Sequence, residues 1–304
     1  MTAPARSLNE LKRSRTDWAP WLAVLEEALR EAQTSHWDGV FSPAAQLGPA
    51  ARSTNAGADR LAMPLLAGAA LTVRTISVSR LLKRLMGVAL ASGTPKMATL
   101  ELAVEPDLDV LALFKASLCQ DAEYLERVAT SRGVDADAFQ AIVALVSIPF
   151  LQACSRRAKP SLSRSWAEPY CAVCGSWPAF AEERGIERSR QFRCGRCGGE
   201  WYARGLACLY CGVNDHEALV SLVPESGRSC GTVEACTRCF GYVKVLSRLQ
   251  GCSPAMVVLD DLASVALDVA ARSEGFTRPS GAGFPLDLTV SDAGMIRRLI
   301  PWNA

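Results

Sequence analysis

Eight of the twelve cysteines in this 304-residue chain fall in four C-x-x-C pairs: Cys171/Cys174, Cys194/Cys197, Cys208/Cys211 and Cys236/Cys239. Two thiols at that spacing suit a disulfide, a redox couple or half of a tetrahedral metal site, and one pair alone would not separate these chemistries. Four pairs within 69 residues favour metal. Glycine follows three of them directly (Gly175, Gly198, Gly212) and Phe240-Gly241 follows the fourth. That pattern suits a knuckle, in which the chain turns tightly around an ion and backbone N–H groups approach the sulfurs. A thioredoxin-type redox motif, by contrast, normally occurs once and beside a βαβ pattern.

Eight thiolates make two tetrahedral sites, and the intervals of 19, 10 and 24 residues between successive pairs suggest their grouping. The first and third intervals are long enough for a hairpin. Ala179 to Glu183 and Arg188 to Phe192, joined around Gly185, would return Cys194 and Cys197 to Cys171 and Cys174. The apolar strand Ala218 to Val223 would begin a second hairpin that brings Cys236 and Cys239 to Cys208 and Cys211. An interleaved grouping, first pair with third and second with fourth, stays open at this point. Tetrahedral S₄ coordination suits iron and zinc alike. The bland reading is that such metals only staple a region too poor in apolar residues to fold alone, while iron could also cycle electrons. Cys119 and Cys154, on helical patterns without a nearby thiol, read as small buried hydrophobes, and Cys230, Cys252 and His216 stay outside the two sites.

Around these residues the chain has two characters, with a boundary near Ser165 in the stretch SRRAKPSLSRSWAEP. Before it, Trp18, Leu22, Leu25 and Leu29 mark one helix, with Glu26, Glu27, Arg30 and Glu31 opposite. Ile76 to Leu90 forms a second, stopping at Gly93 and Pro95, and Leu111, Phe114, Leu118 and Leu125 a third, closed by Gly133. Ala138 to Cys154 is apolar nearly all round, as a central bundle helix is, with Pro149 placed to kink it. Phe41 to Ala58 reads as a loop. After the ribbons, Asp260 to Asp268 reads as a helix beginning at two carboxylates, with Leu262, Val265, Ala266 and Val269 turned inward. The expected fold is therefore α+β: a helical domain over 1–165, then tandem rubredoxin-like or zinc-ribbon modules and a C-terminal helix over 166–304.

The 33 Lys and Arg nearly cancel the 31 Asp and Glu, so no long-range field marks nucleic acid or an anionic membrane as partner. A local alternative rests on Arg184, Arg188, Arg190, Arg193, Arg196 and Arg204, which would make the first ribbon a nucleic-acid-binding module. The N-terminal segment lacks the apolar core of a secretory signal, and the run Leu61 to Val73 is too short to span a bilayer. Both point to the cytoplasm, where thiols stay reduced and metal ligation is favoured over disulfides.

The motifs PYCAVCGSWP, RCGRCGGEW, ACLYCG, VEACTRCFGYVK and DDLASVALDVAARSEGF together resemble the formate dehydrogenase accessory protein family, FdhE. The resemblance is firm over the second half and looser over the first, where it includes MPLL. It implies a cytoplasmic, non-enzymatic maturation factor with a rubredoxin-like C-terminal region that acts on the catalytic subunit of respiratory formate dehydrogenase. It further implies two ions per chain, iron before zinc, on Cys171, Cys174, Cys194, Cys197, Cys208, Cys211, Cys236 and Cys239. No nucleic acid and no membrane span enter that expectation, and a homodimer is left open.

Overall fold

The computed structural model describes residues 8–40, 63–103, 107–158, 166–202, 207–223 and 231–296. The expected loop Phe41 to Ala58 and the boundary at Ser165 lie outside them. The described residues form two units. One takes in those of 15–55, 65–157 and 285–304, and the other those of 1–14, 56–64 and 158–284.

A short helix α1 (Leu8–Ser14) belongs to the second unit. In the first, the main helices are α2 (Ala19–Ala32), α3 (Thr75–Ala91), α4 (Val110–Cys119), α5 (Ala122–Arg132), α6 (Ala136–Val146) and α7 (Ile148–Ala158). Aspartates start three of them. Asp109, Asp121 and Asp135 accept from the backbone N–H of Ala112, Tyr124 and Ala138, each at 2.9 Å, which satisfies donors that a helix start leaves unpaired. Such a cap divides the expected third helix in two, because Gln120 adopts a left-handed φ of 56° and Asp121 begins a new helix. The expected central helix is likewise broken rather than kinked. It stops at Ser147 and restarts with Pro149 in the first turn, where a missing N–H costs nothing.

Leu22, Leu25 and Leu29 of α2 are buried as their spacing predicts, as are Leu81, Leu82, Leu85 and Met86 of α3. Glu27 departs from the pattern: it is buried and held by Arg84 at 2.9 Å. Trp37 stacks on Phe114 at 6.1 Å, and Phe114 meets Phe150 edge-on at 5.7 Å, an aromatic core that links α4 to α7. The stretch Ala136–Ala158 is long and apolar enough by composition to cross a membrane, yet most of it is buried inside the protein, which accounts for its apolar character. Strand β1 (Ala70–Val73) pairs in parallel with β8 (Thr289–Asp292), so the chain returns to the helical unit after Phe284. Neither four-residue strand carries a periodic signal strong enough to announce that return.

The second unit is built on one six-stranded sheet of β2 (Phe180–Arg184), β3 (Ser189–Arg193), β4 (Glu200–Tyr202), β5 (Leu219–Leu222), β6 (Gly231–Cys236) and β7 (Tyr242–Arg248). Its order is β4-β3-β2-β7-β6-β5. Every neighbouring pair is antiparallel except β2 and β7, which run parallel with Phe180 opposite Lys244 and Arg184 opposite Arg248. Two copies of the same three-stranded unit are thereby joined, the first strand of one to the third strand of the other. Helices α8 (Pro254–Ala263) and α9 (Val265–Ser273) follow. Leu267 and Ala271 of α9 share a core with Phe180, Val233, Ala235, Tyr242 and Leu246 of the sheet.

The helix expected to start at Asp260-Asp261 starts instead at Pro254, capped by the Ser253 hydroxyl, and breaks at Ser264. The two aspartates therefore lie in a last turn, and the helical phase resets after them. Leu267 and Ala271 are buried, whereas Val269 is 64% exposed and Ala266 also faces out.

Candidate metal centres

All four C-x-x-C pairs adopt one backbone geometry. The amide of the first cysteine donates to the carbonyl five residues on (Cys171 to Ser176, Cys194 to Gly199, Cys208 to Val213, Cys236 to Gly241), and the residue four on donates back to it. That fourth residue carries φ between 57° and 72° at Gly175, Gly198, Gly212 and Phe240. Glycine suits three of these left-handed positions, and Phe240 tolerates the fourth. Gly241 serves a different purpose: a Cβ there would lie 2.4 Å from the Tyr210 ring that packs on it.

Hairpins bring the knuckles together by sequence neighbour. Strands β2 and β3 return Cys194/Cys197 to Cys171/Cys174, and β5 and β6 return Cys236/Cys239 to Cys208/Cys211; the interleaved grouping is not formed. Within each group the four sulfurs lie within 4.8 Å of one another. The closest approaches are Cys171–Cys197 at 3.4 Å, Cys174–Cys194 at 3.5 Å, Cys208–Cys239 at 3.5 Å and Cys211–Cys236 at 3.8 Å. Disulfide sulfurs would stand about 2.05 Å apart. Sulfurs at about 2.3 Å from a central tetrahedral ion stand about 3.8 Å from each other, so the donor sets fit a tetrathiolate centre.

A cation among the sulfurs would relieve the electrostatics of the first group. In the first group, burial pushes the Cys171 thiol well up and thiol–thiol contact, led by Cys171, does the same to Cys197, while hydrogen bonds from Cys171, Cys194 and Cys197 pull Cys174 well down. One buried thiolate is thus favoured and the next opposed until a positive ion supplies the countercharge. In the second group, burial pushes Cys208 up to about 12. Burial also works to raise Cys236, but the amides of Cys239 and Arg238 and the thiols of Cys208 and Cys211 outweigh it and bring it to about 7. Backbone N–H groups of Val173, Cys197 and Gly199 point at the first group's sulfurs at 3.3–3.5 Å. These donors moderate thiolate charge.

The groups differ in cover. All four cysteines of the first are buried; in the second, Cys208 and Cys236 are buried and Cys211 and Cys239 exposed. His216 has its side chain 95% exposed beside Asp215 and belongs to neither. Cys252 packs against the sheet core, with burial pushing its thiol up to about 12, and Cys154 is fully buried, as expected of small hydrophobes. Cys119 contacts the Leu286 carbonyl, and Cys230 lies outside the described residues.

The arginines that could have faced phosphates hold carboxylates instead. Arg193 and Arg184 bind Glu182, Arg184 also binds Glu200, Arg188 binds Glu183, and Arg190 grips Glu234 through both terminal nitrogens at 2.5 and 2.6 Å. Four of the six cations on which the nucleic-acid alternative rests are thereby paired, while Arg196 reaches the Ser176 hydroxyl at 3.5 Å and Arg204 is outside the described residues. Glu182 is fully buried and also reaches Arg248 at 3.2 Å. A second cluster centres on fully buried Lys244, held by Asp261 at 2.8 Å and Asp268 at 2.7 Å, with Arg278 on the same two carboxylates. Sequence reading put these carboxylates on one helix from Asp260 to Asp268 and gave them no partner. The signal was a lone lysine in YVKVL, a strand otherwise apolar.

Residues 206–284, which carry the second group and both following helices, match the family model described as FdhE, C-terminal domain. This region is similar to the FdhE C-terminal domain. Its relatives include a protein FdhE homolog of Aquifex aeolicus, 30% identical over 116 residues, which are 37% of this chain and 40% of that protein. The protein FdhE of Salmonella choleraesuis is 33% identical over 117 residues, 38% of this chain and 37% of that one. The chain thus matches about two fifths of the length of these FdhE relatives. Over 88% of this chain and 90% of the other, the fold resembles the crystal structure of the FdhE protein from Pseudomonas aeruginosa, with a TM-score of 0.52 at 20% identity. That likeness extends the shared fold to the helical part as well.

Proposed function

We propose that this chain is a non-enzymatic accessory protein of the cytoplasm that binds the catalytic subunit of respiratory formate dehydrogenase and supports its assembly. In this reading the eight paired cysteines hold two ions, iron in the working protein, and the helices before residue 165 and the ribbons after it have separate tasks. The observation that carries it is the pair of four-sulfur clusters in a chain whose 206–284 match the FdhE C-terminal domain. Zinc would serve the same geometry without redox chemistry. Arg188, Arg190 and Arg193 are engaged by carboxylates, which weakens the case for a phosphate-binding role.

Affinity purification from cells expressing formate dehydrogenase tests the reading. Recovery of the catalytic subunit is expected, together with a loss of formate oxidation, at unchanged enzyme transcript, when the chain is deleted. Unchanged formate oxidation after deletion, or nucleic acid released from the purified chain by salt, would overturn it.

A further inference from the structure

The two sulfur clusters share a backbone but not an environment. Both knuckles of the first are covered by other parts of their own unit. A Cβ on Gly198 would lie 2.2 Å from Pro254 at the start of α8, and one on Gly175 would lie 2.8 Å from the Phe284 carbonyl. At the second, a Cβ on Gly212 would meet nothing within 4 Å, and the equivalent position of its other knuckle carries Phe240, 56% exposed. Cys211 and Cys239, one ligand from each knuckle, are exposed. On the inner side, Cys208 and Cys236 line a cavity of about 220 Å³ whose walls include Tyr210, Leu219 and Glu234. Reagents can therefore reach the second cluster from solvent, while the first has no open side.

Resting on the reading that both clusters hold metal, we infer that the second is an exchange centre and the first a closed staple. Cys211 or Cys239 yields its place to an incoming thiolate from a partner protein's cysteine. One sulfur–metal bond forms as another breaks, the displaced sulfur takes up the proton that the incoming thiol gave to solvent, and no electron moves. Substitution of this kind needs room beside a ligand, which the first cluster's cover denies and the second's knuckles provide.

Release of metal from the fully loaded chain into a chromogenic chelator tests this. Two phases of one equivalent each are expected, the faster by about tenfold or more. Its rate should rise linearly with an added single-cysteine peptide but not with the serine counterpart. Cys208→Ser/Cys211→Ser should abolish the fast phase alone and Cys194→Ser/Cys197→Ser the slow one, and limited alkylation with mass spectrometry should modify Cys211 and Cys239 first. A single phase from protein holding two ions, or a fast phase that disappears with the first cluster's variant, would overturn the inference and leave the two-metal reading standing. Protein that never loads two ions would instead reject that reading itself.

Discussion

At the level of single residues, the second unit depends on charges placed where charges are rarely found. Glu182 and Lys244 are fully buried on interior strands, each surrounded by opposite charge. Removing one partner of a buried cluster leaves the others undercompensated, so Glu182→Ala, which leaves Arg193 only the more distant Glu200 at 3.5 Å, should cost about 3–5 kcal/mol in urea unfolding, against under about 1 kcal/mol for exposed Glu123→Ala. Burial works against charge on Glu182 and on Asp261, but the arginines beside Glu182 and the Arg278 and Lys244 beside Asp261 more than reverse it, leaving both carboxyls below their ordinary range. Their stabilisation is complete above an unfolded-state pKa of about 4 and is lost as pH falls through the lower folded values. Asp260, which burial raises, works in the opposite sense. Melting temperatures measured from pH 6 down to pH 3 should therefore fall, and fall less in Glu182→Gln. A flat profile would contradict this account of the cluster. Beyond the lone lysine in YVKVL, none of it could be read from sequence, because a charged residue inside a strand does not announce which way it points until the register is fixed.

At the level of elements, the knuckles were the most legible part. C-x-x-C followed by glycine encodes a fixed turn, and hairpin-length intervals encode which pairs meet, so both four-sulfur groups and their neighbour-wise grouping were readable. Helix breaks were not. Asp121, Ser147 and Ser264 interrupt patterns whose apolar spacing continues across them, since caps and tertiary packing override periodicity over one turn. The β2–β7 junction was equally hidden, because parallel pairing of strands far apart in sequence leaves no local trace. Because each ribbon of the second unit closes at a four-sulfur group that could hold an ion, Cys171→Ser should open the first ribbon while the helices around Phe114 and Phe150, whose core lies in the other unit, stay folded. Limited proteolysis mapped by mass spectrometry checks this; new cuts in the helical unit, or none in β2 and β3, would refute it.

At the level of the molecule, the α+β architecture followed from composition shift and motif order, whereas the return of residues 289–292 to the helical unit did not, since four alternating residues are too short to distinguish a strand from a loop. Two independent metal centres on eight cysteines can be counted by elemental analysis of protein purified without oxygen. About two ions per chain are expected for the parent protein, falling to about one in Cys208→Ser/Cys211→Ser and in Cys194→Ser/Cys197→Ser alike. One ion or none in the parent, or loss of both when either group is altered, would contradict it.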